Sequence, residues 1–144
     1  MSIEPSAASK LEAASTEIVD ALFFARAEAL RTGGTVGVRF GADGGLQASA
    51  DMLTVFSLTA ANRTILSHPL NGKPYQIDLM HAPYGNGVAL VDANFDADTA
   101  IVFNGTLGQA GSPLITQNGQ VSVRLGAATR TVTVDAETGR VSVQ

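Results

Sequence analysis

Apolar positions recur every three or four residues through the first part of the chain. Leu11, Ala14, Ile18, Leu22, Ala25 and Ala29 line one face of an α-helix. No Gly or Pro interrupts residues 6–32, where Ala is abundant and charges are interspersed. Pro5 and Ser6 mark a start, and Gly33-Gly34 after Arg31 marks a stop. At 1.5 Å per residue the predicted helix is about 40 Å long, which is long for a domain of this size. Lys10, Glu17, Asp20, Glu28 and Arg31 fall opposite the stripe, and Phe24 lands among them, roughly 220° from Leu11. Val19, Phe23 and Leu30 widen the apolar stripe on its other flank. Part of this helix is too apolar for one that buries a single face.

After Gly34 the pattern changes to short alternating segments, rich in β-branched residues and broken by Gly, Asn, Asp and Pro. Strands are predicted at 35–40, 46–50, 53–58, 75–81, 87–91 and 99–103. Three more follow around Val121/Val123/Leu125, Val132/Val134 and Val141/Val143. Residues 59–74 hold Asn62, His68-Pro69 and Asn71-Gly72-Lys73-Pro74, which predicts mostly loop. Asp135-Ala136-Glu137-Thr138-Gly139 predicts a tight hairpin between the last two strands. One long helix followed by antiparallel strands is an α+β architecture, with the helix covering a sheet face. Residues 1–34 are the helix and 35–144 a β-rich head, together expected to be one domain.

Composition narrows the class. The chain has 144 residues, 45% hydrophobic and 15% charged, enough to bury a single core and the reverse of a disordered composition. Zero cysteines exclude a disulfide scaffold, a thiolate metal site and a thiol nucleophile. Nine Lys and Arg against thirteen Asp and Glu give a net charge of −4, so no broad basic field draws nucleic acid or an anionic bilayer. Apolar runs such as Ala21-Leu22-Phe23-Phe24-Ala25 stop far short of the roughly 20 residues that span a membrane.

Candidate chemistry is sparse. His68 and His81 sit in no pattern that suggests catalysis, and neither a zinc-protease helix, a nucleophile elbow nor a phosphate loop is present. Gly105, Gly108 and Gly111 are evenly spaced in a loop but do not stand between a strand and a helix. Asp92, Asn94, Asp96 and Asp98 place oxygen donors at alternate positions, a candidate Ca²⁺ site like the start of an EF-hand loop. Against it, Ala97 stands where the glycine is required and Phe103 where the bidentate Glu belongs, so a polar surface loop is the expectation. Asn62-Arg63-Thr64 and Asn104-Gly105-Thr106 fit the glycosylation sequon, a pattern that chance often supplies. Arg124, Arg130 and Arg140 form a candidate nucleic-acid contact, although Asp135 and Glu137 beside them favour cross-strand ion pairs. No cofactor and no catalytic residue is expected.

The segment from Phe24 to Phe40 has a more specific character. Its Ala25-Arg26-Ala27-Glu28-Ala29 run, the Gly33-Gly34 break and Val36-Gly37-Val38 resemble the helix end and first strand of the GspH/FimT-type minor pseudopilins of type II secretion systems and type IV pili. Ile101-Val102-Phe103 followed by a glycine-containing loop is similar to that family's strand ending in Phe. Thr131-Val132-Thr133-Val134 with Thr138-Gly139-Arg140 is similar to its terminal hairpin. The matches follow the family's order along most of the chain. The tryptophan frequent in its loop after the Phe strand is missing.

The resemblance implies a pilin-like fold and a non-catalytic subunit of a pseudopilus or pilus-like filament, serving assembly and protein secretion. Its partners are other pseudopilins or pilins, met through the helix, with no small-molecule substrate. Phe24, Glu17, Asp20, Glu28 and Arg31 are then the expected assembly surface. The alternative for Phe24 is a place under a long loop such as 59–74. The family's N-terminal apolar segment, with its peptidase site and early glutamate, is not among the 144 residues. The expectation is a head that begins at or just past the membrane boundary, anchored in the inner membrane only through that segment and lying in the periplasm. The competing expectations are a ligand- or DNA-binding pilin-like module and a Ca²⁺-stabilised binding domain, and DNA is disfavoured by the net charge.

Overall fold

The protein is described here by a computed structural model, covering residues 7–59, 62–81, 87–95, 99–104, 118–135 and 140–144. The helix α1 runs Ala7–Thr32. It ends where the glycine pair predicts: Gly33, at φ 71, donates its N–H to the Ala29 carbonyl at 2.9 Å. That left-handed conformation suits a residue without a Cβ. Thr32 tightens the exit, its hydroxyl donating to Glu28 O at 2.8 Å and accepting from Gly34 N at 3.2 Å.

Among the described residues nine strands follow: β1 Thr35–Phe40, β2 Met52–Thr59, β3 Asn62–Ile65, β4 Gln76–Asp78, β5 Ala89–Asn94, β6 Ala100–Asn104, β7 Gly119–Leu125, β8 Ala128–Val134 and β9 Val141–Val143. They form two sheets rather than one. The first has the order β3-β2-β1-β6 with β4 also on β2, and the second the order β5-β7-β8-β9. Every pairing is antiparallel.

Alternation fixes which side chains meet α1. Val36, Val38 and Phe40 face inward on β1, opposite Leu53 and Val55 of β2 and Ile101 and Phe103 of β6. In the second sheet Val121, Val123, Val132 and Val134 do the same. These join Leu11, Ala14, Ile18, Ala21, Leu22, Ala25 and Ala29 of α1 in a single hydrophobic core. Phe95, just after β5, ties the sheets together. Its ring stacks on Phe40 with centroids 5.8 Å apart and lies against Gly119, where any Cβ would strike it.

Several predicted segments differ. Residues 46–50 make no strand: Gly44–Leu46 form a single 3-10 turn, with Gly45 N–H donating to the Asp43 carboxylate at 3.0 Å and Leu46 buried. A local acceptor beside two glycines outcompetes a ladder. Within 59–74, predicted as mostly loop, Asn62–Ile65 instead pair with Phe56–Thr59 as an edge strand. The predicted 87–91 strand starts later and runs to Asn94, with a register shift between Leu90 and Asp92.

Candidate functional site

The buried stripe of α1 leaves two flanks, and they differ in chemistry. One carries Glu17, Asp20 and Phe24 and faces the segment His68–Tyr75, which folds back from the end of β3. His68 N–H donates to Lys73 O at 2.7 Å, and Tyr75 N–H to Leu66 O at 2.7 Å, so this segment is a short closed excursion. It places the Tyr75 ring 5.2 Å from Phe24 and 4.3 Å from His68, centroid to centroid. His68 Nδ1 accepts from Leu70 N–H at 3.1 Å. A cavity of about 270 Å³ remains between helix and segment, lined by Glu17, Asp20, Phe24, His68, Leu70 and Tyr75 among others.

The electrostatics of this cavity are unusual for the chain. Burial first, and then the like charge of Asp20, raise the Glu17 carboxyl above its ordinary range, while His68 pulls it back. Burial together with Glu17 and Asp20 pushes the Tyr75 phenol up to about 12. Both shifts have one origin: negative charge held at a partly desolvated wall.

The second flank is apolar and open. Phe23 is 52% exposed and Leu30 48%, two turns apart on the same side. Partly buried Val19 continues the line toward β9, where Val19, Glu12, Arg130 and Val143 border a shallow groove. In the sequence Phe23 and Leu30 widen the apolar stripe on its other flank. The structure leaves them uncovered because the two sheets together span only the sector around Ile18 and Leu22.

The other predicted residues fall as follows. Phe24 is half-buried against Tyr75, under the 59–74 region, rather than standing free among charges. Glu28 and Arg31 pair with each other at 2.7 Å. Arg124, Arg130 and Arg140 do not converge. Arg130 lies opposite inward-facing Val123 on the helix side of its sheet, whereas Arg124 alternates to the outer face. Arg140 lies by Asp135, about 20 Å along the strands from Arg124. Asp92 and Asn94 are exposed on the extended strand β5, and Asp96 and Asp98 lie outside the described residues, as do the glycines 105, 108 and 111. No group of three metal-ligating side chains occurs among the described residues. His81 does meet a carboxylate, its Nδ1 lying 3.0 Å from Asp78 Oδ2 in an exposed turn.

A further cluster stiffens the outer face of the first sheet. Gly37 of β1 leaves room for Phe56, whose ring lies 2.7 Å from where a Gly37 Cβ would stand. Arg63 covers that ring, 5.9 Å from its centroid, and pairs with Asp43 at 2.6 Å. Arg39 Nε approaches the same carboxylate at 3.4 Å.

A long helix with one flank bare, laid over two antiparallel sheets, defines a pilin-like head. The chain belongs to the family of the type II transport protein GspH, whose pattern it matches over residues 14–139. The fold is similar to that of the type IV minor pilin FimU of Pseudomonas aeruginosa, with TM-score 0.61 and 16% identity over 93% of this chain and 87% of that one. A second crystal form of FimU gives TM-score 0.57 and 15% identity, over 92% and 90%. No curated protein sequence matches the chain significantly.

Proposed function

We propose that this chain is a non-catalytic minor pseudopilin, a subunit that joins a type II secretion pseudopilus or a type IV pilus-like filament. The observation that carries this is the Phe23/Leu30 stripe on α1, in a chain of the GspH family. Two large apolar side chains half open to water on one helix flank are a contact surface awaiting a neighbour. The neighbour is another pseudopilin or pilin, packed along α1, with residues 1–34 and 35–144 acting as one domain. Among the described residues no helix is long and apolar enough to cross a membrane. Membership of the GspH family supports anchoring in the inner membrane with the head in the periplasm.

The test is genetic. Deleting the gene in its own cell is expected to abolish or reduce secretion or piliation. The wild-type chain restores it, and a Phe23→Ser/Leu30→Ser variant, folded but without the stripe, does not. Normal secretion and piliation in the deletion strain would refute the proposal.

A further inference from the structure

The cavity on the other flank of α1 has a chemistry that packing along the Phe23 stripe leaves unused. Glu17 and Asp20 stand about one turn apart on its helix wall. Among the described residues, neither forms an ion pair with Lys or Arg. Phe24 and Tyr75 present aromatic surface beside them. Tyr75 is 2% exposed and lines the cavity, and among the described residues no hydrogen bond holds its hydroxyl, which is left to whatever fills the cavity, water included.

Each candidate occupant can be weighed against these walls. An anion is repelled by both carboxylates, and an uncharged apolar group would strip them of water without compensation. An ammonium or guanidinium group satisfies both carboxylates and both aromatic faces, with His68 the lining group that competes with it for Glu17. Its N–H groups donate to the carboxylates and to the Tyr75 oxygen, and its charge is attracted by the aromatic faces. Small-molecule sites usually measure about 300–1,000 Å³, and at about 270 Å³ this cavity suits a single long side chain better than a cofactor. Its rim fits the same occupant. Pro69 and Leu70 line the edge, Leu70 is 88% exposed, and the aliphatic stem of Lys or Arg packs on such a surface.

We infer that this cavity is a socket for a Lys or Arg side chain presented by the adjoining subunit of the filament. The inference rests on the proposed subunit role and adds the chemistry of one contact. It gives α1 two docking flanks, one apolar through Phe23 and Leu30, the other acidic and aromatic through Glu17, Asp20 and Tyr75.

Two experiments test the socket separately from the subunit role. The first titrates the ¹⁵N-labelled chain with the blocked amino acids N-acetyl-arginine methylamide and N-acetyl-lysine methylamide, using the citrulline analogue as the uncharged control. Saturable shifts centred on the amides of Glu17, Asp20 and Leu70 are expected with the cations. The citrulline analogue, and the Glu17→Gln/Asp20→Asn variant, should bind at least about tenfold more weakly. An unchanged spectrum elsewhere shows that the variant is folded. Equal shifts with citrulline, or none with any probe, would overturn the socket.

The second experiment co-purifies the full chain with the other pseudopilins of its system. Both Glu17→Gln/Asp20→Asn and Phe23→Ser/Leu30→Ser should weaken recovery. Full recovery with the acidic-flank variant, alongside loss with the stripe variant, overturns the socket and upholds the subunit role. Cation binding with no neighbour recovered even by the wild-type chain would overturn the subunit role, and with it the source of the side chain.

Discussion

Glu17 and Asp43 carry carboxylates that the fold pushes in opposite directions. Glu17 is raised by burial and by Asp20, with His68 opposing and Tyr75 sharing the same wall. A raised acid favours the native state most when it is protonated. Its stabilisation is complete below the ordinary glutamate value of 4.5 and is lost as pH rises through the higher folded value. Glu17→Gln should therefore raise the melting temperature at neutral pH, by the equivalent of a few tenths to about 1 kcal/mol, with the difference vanishing in acid. Asp43 is lowered chiefly by its hydrogen bonds from Arg63, so its contribution is present above 3.8 and is lost as pH falls through the lower folded value. Asp43→Asn should cost about 1 kcal/mol at neutral pH, with the gap to wild type closing in strong acid. Melting curves across pH check both signs. Gly37→Ala places a methyl 2.7 Å from both Phe56 and Val102 and should destabilise by about 1–3 kcal/mol in urea titrations.

The helix shows what periodicity can and cannot specify. Its buried stripe from Leu11 to Ala29 and its glycine stop are local properties, and the structure has both where the sequence places them. Which flank stays bare is not local. Val19, Phe23 and Leu30 look like a continuation of the buried face, and only the width of the two sheets leaves Phe23 and Leu30 outside it. Phe24 was equally ambiguous, because Tyr75, far away in the chain, covers it. The acidic cavity was half legible: Glu17, Asp20 and Phe24 form one flank in the sequence, but nothing local brings His68 and Tyr75 to them. Two substitutions separate the faces. Leu22→Ala should cost about 2–5 kcal/mol, whereas Phe23→Ser should change stability by no more than about 1 kcal/mol. Chemical denaturation of the two variants side by side measures the contrast.

Across the whole molecule the strands are joined by non-local choices. The alternation of Val36/Val38 and Val121/Val123 shows strands, but not that they belong to different sheets linked by Phe95 on Phe40 and Gly119. Leu90 N–H donates to the Asp51 carboxylate at 2.9 Å, a second tie from the start of β5 to the start of β2. Residue patterns from Phe24 to Phe40 point to the pseudopilins before any of these contacts is known, and membership of the GspH family agrees. The sheets hold α1 from one side and leave Phe23 and Leu30 exposed, the flank that the proposed subunit role gives to a neighbour.

That role is tested most directly by cross-linking within the assembled filament. The chain has no cysteine, so Leu30→Cys supplies a single thiol at the C-terminal end of the exposed flank. With a thiol-reactive cross-linker in cells that assemble the system, the predicted result is a specific adduct between this position and another pseudopilin. The same substitution at exposed Gln120, on the outer face of the second sheet, should give none. Equal adducts at both positions, or no adduct at Leu30→Cys in cells with intact filaments, would contradict α1 as the packing surface.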